Sequence, residues 1–517
     1  MLRLSSPSSE LRPKRGLGFQ RLEKPLHRVI REAQDDFTCE SLLLDGAEIE
    51  ELAEILVDFA EDVHCEVGLW EAYERFNREF FQTPLPMIAA EEVDRGSAGL
   101  SRARIQHLLW VLYPELVPGL ILAPGHADLL HLAEAVRAFL DRELRSAPRE
   151  SSTKTFLQAP NEYGWDVKRK LIWLGTESYL FRLFYRAYLE KEGDPKNTIT
   201  HTDDFVCQQC THWSGLGAID ILAYALDLTE NDRRDLRSWY ERHASFYEMR
   251  SVSNEVLDAR NVISGDMYRV RINMDRHPFE RGQVFFGSLV PWRGEWYWSG
   301  MQRSYGPAAN INLDDLRKTM RRTSPGIVCR FWKEYEAQVR ERAKKLHEEL
   351  LAYSGRDLVV YTDGLAMAAD WQKEIRAQWE SRPAEEREKV MQRHGLGKGP
   401  PSVRIPPDLL ENKSGIGVFL NPDEGKEIVQ DFNSLLSGLR RKGEGLSDDE
   451  ADVIRRFFQF SAVSPRFAQR LIQDHGTESI RAAFLVRDDA PGYWLDYLLR
   501  AHKGEYYRKR YPSVAVV

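Results

Sequence analysis

The amino-acid sequence predicts a multidomain, predominantly α-helical chain: a helical N-terminal half, a small SH3-like or OB-like β-barrel in the middle, and a helical C-terminal domain with a minor α+β element. Three observations predict it. The 517 residues amount to about three domains at roughly 150 residues each. Apolar residues recur at three and four over much of the stretch from Asp45 to Arg250, the spacing of one helix face. From 251 to 306 that period gives way to alternation at two, the pattern of half-buried strands.

Residues 1–44 form an N-terminal extension, Ser/Pro-rich at its start and expected to be partly flexible. The helical domain spans 45–250. Between Asp45 and Phe81 the residues Ile49, Leu52, Ile55, Leu56, Phe59, Val63, Leu69, Trp70, Tyr73, Phe76 and Phe80 fall on one face. The acidic residues between them (Glu48, Glu50, Glu51, Glu54, Asp58, Glu61, Asp62) read as the solvated side of an amphipathic helix. Further helical patterns cover 102–113, 126–144, 170–191 and 216–250, with Pro114, Pro118, Pro124 and Gly125 as breaks.

The barrel is expected over 251–306. Met267, Arg269 and Arg271 alternate with Tyr268, Val270 and Ile272, Ser264-Gly265-Asp266 is a tight-turn sequence, and Arg293-Gly294 joins two longer strands. About five short strands suit a closed meander, which protects its edges. Residues 307–440 supply a long charged helix near 330–353 and two short strands, Asp357 to Gly364 and Gly415 to Pro422, each expected to lead directly into a helix. The Gly/Pro-rich loop 395–407 lies between them. In the C-terminal helical domain, 441–517, Ser447-Asp-Asp-Glu450 is a capping box, Ser464-Pro465 and Thr477-Glu478 open helices, and Gly476 closes one. The tail interleaves Lys503, Arg508, Lys509 and Arg510 with Tyr506, Tyr507 and Tyr511.

Composition narrows the function classes. Hydrophobic residues make up 42% and charged residues 29%, enough apolar material for several cores. The net charge of -8 argues against chain-wide attraction to nucleic acid or anionic lipid. The start has no apolar run resembling a signal peptide, and no window reaches the roughly 18 apolar residues of a membrane span. Five cysteines, an odd number, make no disulfide framework, so the expected compartment is the reducing cytoplasm, with no membrane partner.

The densest set of ligand-capable side chains is His201, Asp203, Cys207, Cys210 and His212. A Cys-x-x-Cys pair can clamp one face of a zinc ion, and two histidines would complete a tetrahedron. A second ligand pair, which structural zinc sites draw from farther along the chain, is missing. The alternatives are a redox dithiol, whose usual strand-then-helix context is absent here, or simple packing of two small hydrophobes. Asp203 and Asp204 beside His201 also resemble the ligand mixture of a hydrolytic metal centre, but capping of a helix start by one of the two is the ordinary reading. The sequence lacks Gly-x-Ser-x-Gly, His-Glu-x-x-His and the phosphate-cradling Gly-x-x-x-x-Gly-Lys-Ser/Thr.

In the barrel, Trp296 and Trp298 share one strand face and Tyr297 the other, with Trp292 nearby. An aromatic face of this kind grips a proline-rich peptide or stacks nucleic-acid bases, and Arg269, Arg271, Arg276, Arg281, Arg293 and Arg303 supply cations beside it. Covering of the aromatics by neighbouring helices is the competing reading. With no strong catalytic motif, the first expectation is a cytoplasmic interaction or regulatory protein that binds a protein partner through its barrel or helical surfaces. A metal-dependent enzyme or nucleic-acid-processing factor at His201–His212, with zinc as cofactor, is the second. Nucleic-acid binding through Arg269, Arg271, Trp292, Trp296 and Trp298 is the third.

Overall fold

A computed structural model describes residues 13, 16–88, 100–117, 120, 122–272, 278–394, 400, 405–486, 492–508 and 515–516. The Ser/Pro-rich start, Arg276, most of the loop 395–407, and Lys509, Arg510 and Tyr511 lie outside the described residues. The chain divides into two compact units, Met1–Tyr335 with Leu485–Tyr507, and Glu336–Phe484 with Arg508–Val517. It is multidomain and rich in helix. Among the described residues no helix is long and apolar enough to cross a membrane.

The first unit begins with helices α1 (Glu23–Gln34), α2 (Gly46–Cys65), α3 (Leu69–Phe81), α4 (Arg102–Leu116) and α5 (Ala127–Glu143). Asp45 caps α2 in a capping box with Glu48, its carboxylate accepting from the Ala47 and Glu48 amides. The helical pattern expected over 170–191 divides into α6 (Gly164–Glu177) and α7 (Arg182–Glu192), because the chain turns out of helical geometry at Ser178. Helices α8 (Thr198–Gln208), α9 (Ala218–Ala225) and α10 (Glu230–Ser238) follow.

The helical pattern expected to reach Arg250 ends earlier, for β1 runs from His243 to Val252. With β2 (Val256–Asn261), β3 (Met267–Arg271), β4 (Gln283–Trp292) and β5 (Glu295–Pro307) it makes a five-stranded sheet. The strands are hydrogen-bonded in the order β1-β2-β3-β5-β4, and β4 pairs back onto β1. All these pairings are antiparallel except the short parallel contact of β3 with β5 at Val270 and Trp296. Arg293 and Gly294 both take positive φ, 49° and 81°, the geometry of a tight hairpin turn whose twist matches the strands. One face buries Tyr247, Met249, Leu257, Val270, Phe285 and Leu289. The other buries Phe246, Val262, Ile263 and Val284 under Leu313, Leu316 and Met320 of α11 (Leu313–Thr323).

A long helix, α12 (Lys333–Ser354), runs from one unit into the other. The second unit holds β6 (Leu358–Tyr361), α13 (Gly364–Ser381), α14 (Ala384–His394), α15 (Pro407–Glu411), β7 (Ile416–Asn421) and β8 (Gly425–Val429). Helices α16 (Phe432–Arg440), α17 (Asp448–Gln459), α18 (Pro465–His475) and α19 (Glu478–Ala483) complete it, with the short strand β9 (Ala515–Val516). The two strands expected here form a sheet of their own, in the order β6-β7-β8-β9. Where β7 was expected to lead into a helix, it turns back into β8. The buried Glu427 on β8 accepts from the Ser464 amide and hydroxyl, so a strand carboxylate anchors the start of α18. Ser447 and Glu450 make the expected capping box of α17. The last helix of the first unit, α20 (Trp494–His502), buries Trp494, Tyr497, Leu498 and Leu499.

Candidate functional site

A concavity lies in the helical part of the first unit. It encloses about 300 Å³ and is lined by Glu54, Asp58, Glu61 and Asp62 of α2, Trp173 and Glu177 of α6, Ser178 and Tyr179 of the turn, Arg182 of α7, and Pro13, Gln20, Val67, Leu69 and Thr153. Five carboxylates among the lining residues face one guanidinium. Of the acidic residues of α2, expected to be its solvated side, Glu50 is exposed, whereas others do something else. Glu61 and Asp62 are buried, and Glu51 and Asp58 are paired, because α2 is packed on two sides rather than one.

The carboxylates of α2 have definite partners. Asp62 accepts from the amides of Gly68, Leu69 and Trp70 at 2.9, 3.1 and 2.7 Å, capping the start of α3 from the preceding helix. It also accepts the Tyr179 hydroxyl at 2.6 Å. Burial nevertheless raises the Asp62 carboxyl above its ordinary value, since desolvation outweighs those bonds. Glu61 accepts from the Ser151 hydroxyl at 2.6 Å. Arg182 bridges Glu51 at 2.9 Å and Asp58 at 2.6 Å, and Glu54 lies 3.8 Å away. At Glu51 burial acts upward, but Arg186 and Arg182 outweigh it and hold the carboxyl low. The result is a rigid anionic cup with aromatic surface from Trp173 and Tyr179.

The five residues singled out for metal are placed differently from a coordination sphere. His201 lies against Tyr188, with Glu192 3.8 Å from its Nδ1. One of Asp203 and Asp204 was expected as a helix-start cap, but both sit in the middle of α8, where they face Arg242. Asp203 is buried and shared among Lys168, Arg242 at 2.6 Å and the Ser299 hydroxyl at 2.7 Å. Burial would lift its carboxyl, yet Lys168 and Arg242 hold it down at about 2. Cys207 is buried, with the Lys168 ammonium 3.3 Å from its sulfur. Cys210 lies past the end of α8, and all five cysteines are free thiols. His212 turns toward Glu115, 3.4 Å from its Nδ1, and its ring lies 4.7 Å from that of His502. Among the described residues no three His, Cys, Asp or Glu side chains are grouped to hold a metal ion. What sequence reasoning missed is the partner of Asp203: Lys168 and Arg242 carry no local signal that points to it. Gly300 completes this charge cluster, for a Cβ there would lie 2.7 Å from the Asp203 carboxylate and its φ is +68°.

The aromatic residues singled out at 292–298 are wholly or partly buried, whereas Tyr305 near the end of β5 is 47% exposed. Trp292 is fully buried, and Trp296 and Trp298 pack against the sheet's own apolar core. Tyr297, on the opposite face, is buried against Trp165. Arg271 bridges Glu255 and Glu295, and Arg269 is exposed. Neighbouring structure thus covers Trp292 and Tyr297 fully, and Trp296 and Trp298 in part.

Comparison with known proteins places one segment. Residues 38–194 match a family described as a protein of unknown function (DUF3843). The match takes in fewer than a third of the 517 residues. It includes every residue lining the acidic cavity except Pro13 and Gln20. No curated protein and no solved structure matches.

Proposed function

We propose that this chain is an interaction protein of the cytoplasm, and that the acidic cavity takes a cationic group from its partner, an alkylguanidinium or alkylammonium such as an Arg or Lys side chain. The observation that carries the reading is the cavity itself: about 300 Å³ with five lining carboxylates, one guanidinium and the surfaces of Trp173 and Tyr179. That volume is at the lower bound of ordinary ligand sites, which suits a small cationic group. The negative lining raises the local concentration of cations, and the aromatic rings favour a delocalised one. Within the same reading, the cyclic strand order of β1–β5 supports an SH3-like or OB-like barrel, serving as a scaffold rather than a stacking platform.

The test is calorimetric titration of the full chain with agmatine, compared with a Glu54→Gln/Glu177→Gln double variant. Agmatine should bind, about tenfold more weakly to the variant, and the affinity should fall as salt is raised. No heat from agmatine at millimolar concentration, or binding indifferent to both substitutions, would overturn the reading.

A further inference from the structure

The second unit offers a different surface, independent of the acidic cavity. Among the described residues strand β6 is the end strand of its sheet, paired with β7 on one side only. Its sequence is Leu-Val-Val-Tyr, partly buried except at the exposed Val360. Exposed edges in native proteins are normally blunted by a Lys, a Pro or a bulge, because unpaired backbone groups recruit another strand. None of these devices occurs within β6, and its register with β7 runs without a shift.

Beside this edge runs a groove of about 480 Å³, formed by Val360 of β6 and by Asn433, Leu436, Ser437 and Arg440 of α16. The groove exists because α16 sits close on the sheet: Gly417, opposite Val360 in the register, has no side chain, and the Phe432 ring occupies that place. Val360 remains 38% exposed, and Leu365, just past the strand, is 69% exposed. Arg440, in the last turn of α16, is exposed and is the only charged residue among those that line the groove.

We propose that the β6 edge and the α16 groove bind an extended peptide segment of a partner protein, one that adds a strand to β6, sets alternate aliphatic side chains against Val360 and Leu436, and brings a carboxylate to Arg440. Strand addition supplies main-chain hydrogen bonds, and every second side chain of the added strand faces the groove. A second copy of this chain suits the site less well. Its β6 carries no acidic side chain for Arg440, and the flanking Asp357 is already bonded to Arg470 at 3.1 Å.

The probe is a fluorescein-labelled peptide of alternating valine and threonine ending in aspartate, titrated against the full chain by anisotropy. Three comparisons accompany it: the same peptide with every second amide N-methylated, and the chain variants Val360→Lys and Arg440→Glu, both at surface positions. The parent peptide should bind. N-methylation and Val360→Lys should abolish binding, and Arg440→Glu should weaken it about tenfold, with a lysine-ended peptide then preferred. Failure of the parent peptide to bind overturns the proposal, as does binding that ignores N-methylation and Arg440→Glu. Concentration-dependent dimerisation lost in Val360→Lys, without peptide binding, would assign the edge to a second copy instead.

Discussion

Replacing Asp203 with asparagine removes the carboxylate that pairs with both Lys168 and Arg242. Lys168 and Arg242 keep only 14% and 10% of their side-chain surface exposed, and Asp203 4%. At an effective dielectric of about 20, the Arg242 contact alone is worth about 6 kcal/mol of attraction. Burial of the carboxylate cancels much of that. The carboxyl is held at about 2 against an ordinary 3.8, so about 2 kcal/mol is the net gain of ionising it in place. Asparagine also turns amide hydrogens toward the cations, and breaking a buried pair costs up to about 5 kcal/mol. Asp203→Asn should therefore destabilise α8 and β5 by between about 2 and 5 kcal/mol. Hydrogen exchange by mass spectrometry reads this as faster exchange, by at least about 30-fold, in peptides from 198–208 and 295–307. Asp204→Asn is the control: Asp204 is 31% exposed and faces Arg242 alone, so it should cost about 1 kcal/mol or less. The pH dependence has a definite sign. A depressed carboxyl contributes stability that is complete above its ordinary value and lost as pH falls through about 2, so the wild type should lose protection in this region across that window and Asp203→Asn should not. Unchanged exchange in Asp203→Asn, or equal costs at 203 and 204, would refute the reasoning.

Two further outcomes follow from buried geometry elsewhere. Burial raises the Glu115 carboxyl to about 7 and lowers the neighbouring His212 to about 4, so in mild acid an uncharged carboxyl meets an uncharged ring, and near neutral pH the carboxyl is about half ionised. A raised acid contributes stability that is complete below its ordinary value and lost as pH rises through about 7. Relative to wild type, Glu115→Gln should thus gain about 3 kcal/mol between about pH 4.5 and 7.5, and a melting-temperature difference constant over that range would contradict it. In the second unit, a Cβ at Gly417 would lie 2.5 Å from the Phe432 ring. Gly417→Ala should cost about 1–3 kcal/mol by overpacking and loosen α16, seen as faster exchange at 432–440 with no change in peptides of the first unit.

How much of this was legible in the sequence depends on whether an element is covered on one side or two. The helix start at Ser447 was legible because caps are local: the acceptor, the amides and the reciprocating glutamate lie within four residues. So was the Arg293-Gly294 turn, whose handedness two residues decide. Strand β1 was not. Phe246 faces one apolar layer while Tyr247 and Met249 face another, so the alternation that marks a strand disappears and the segment imitates a helix. Strand β8 was hidden for a related reason, its buried Glu427 being stabilised by Ser464, 37 positions away.

The same principle governs the candidate sites. On α2 the carboxylates follow helical spacing faithfully, and one sequence cannot tell a solvated acidic stripe from the floor of a cavity. The difference is made by Arg182 and Tyr179, 117 or more positions farther along the chain. At Asp203 the local sequence offers His201, Cys207, Cys210 and His212 as company, but the fold gives it Lys168, Arg242 and Ser299. A carboxylate committed to two cations and a hydroxyl has spent its lone pairs on holding α6, α8 and β5 together. Density of ligand-capable side chains in sequence therefore measures opportunity, while the cations that reach a carboxylate from other elements decide its role. By that criterion the cavity beside α2 is the stronger place to look for function: its lining keeps an excess of negative charge around open volume, whereas the cluster at Asp203 is closed around its own counter-ions.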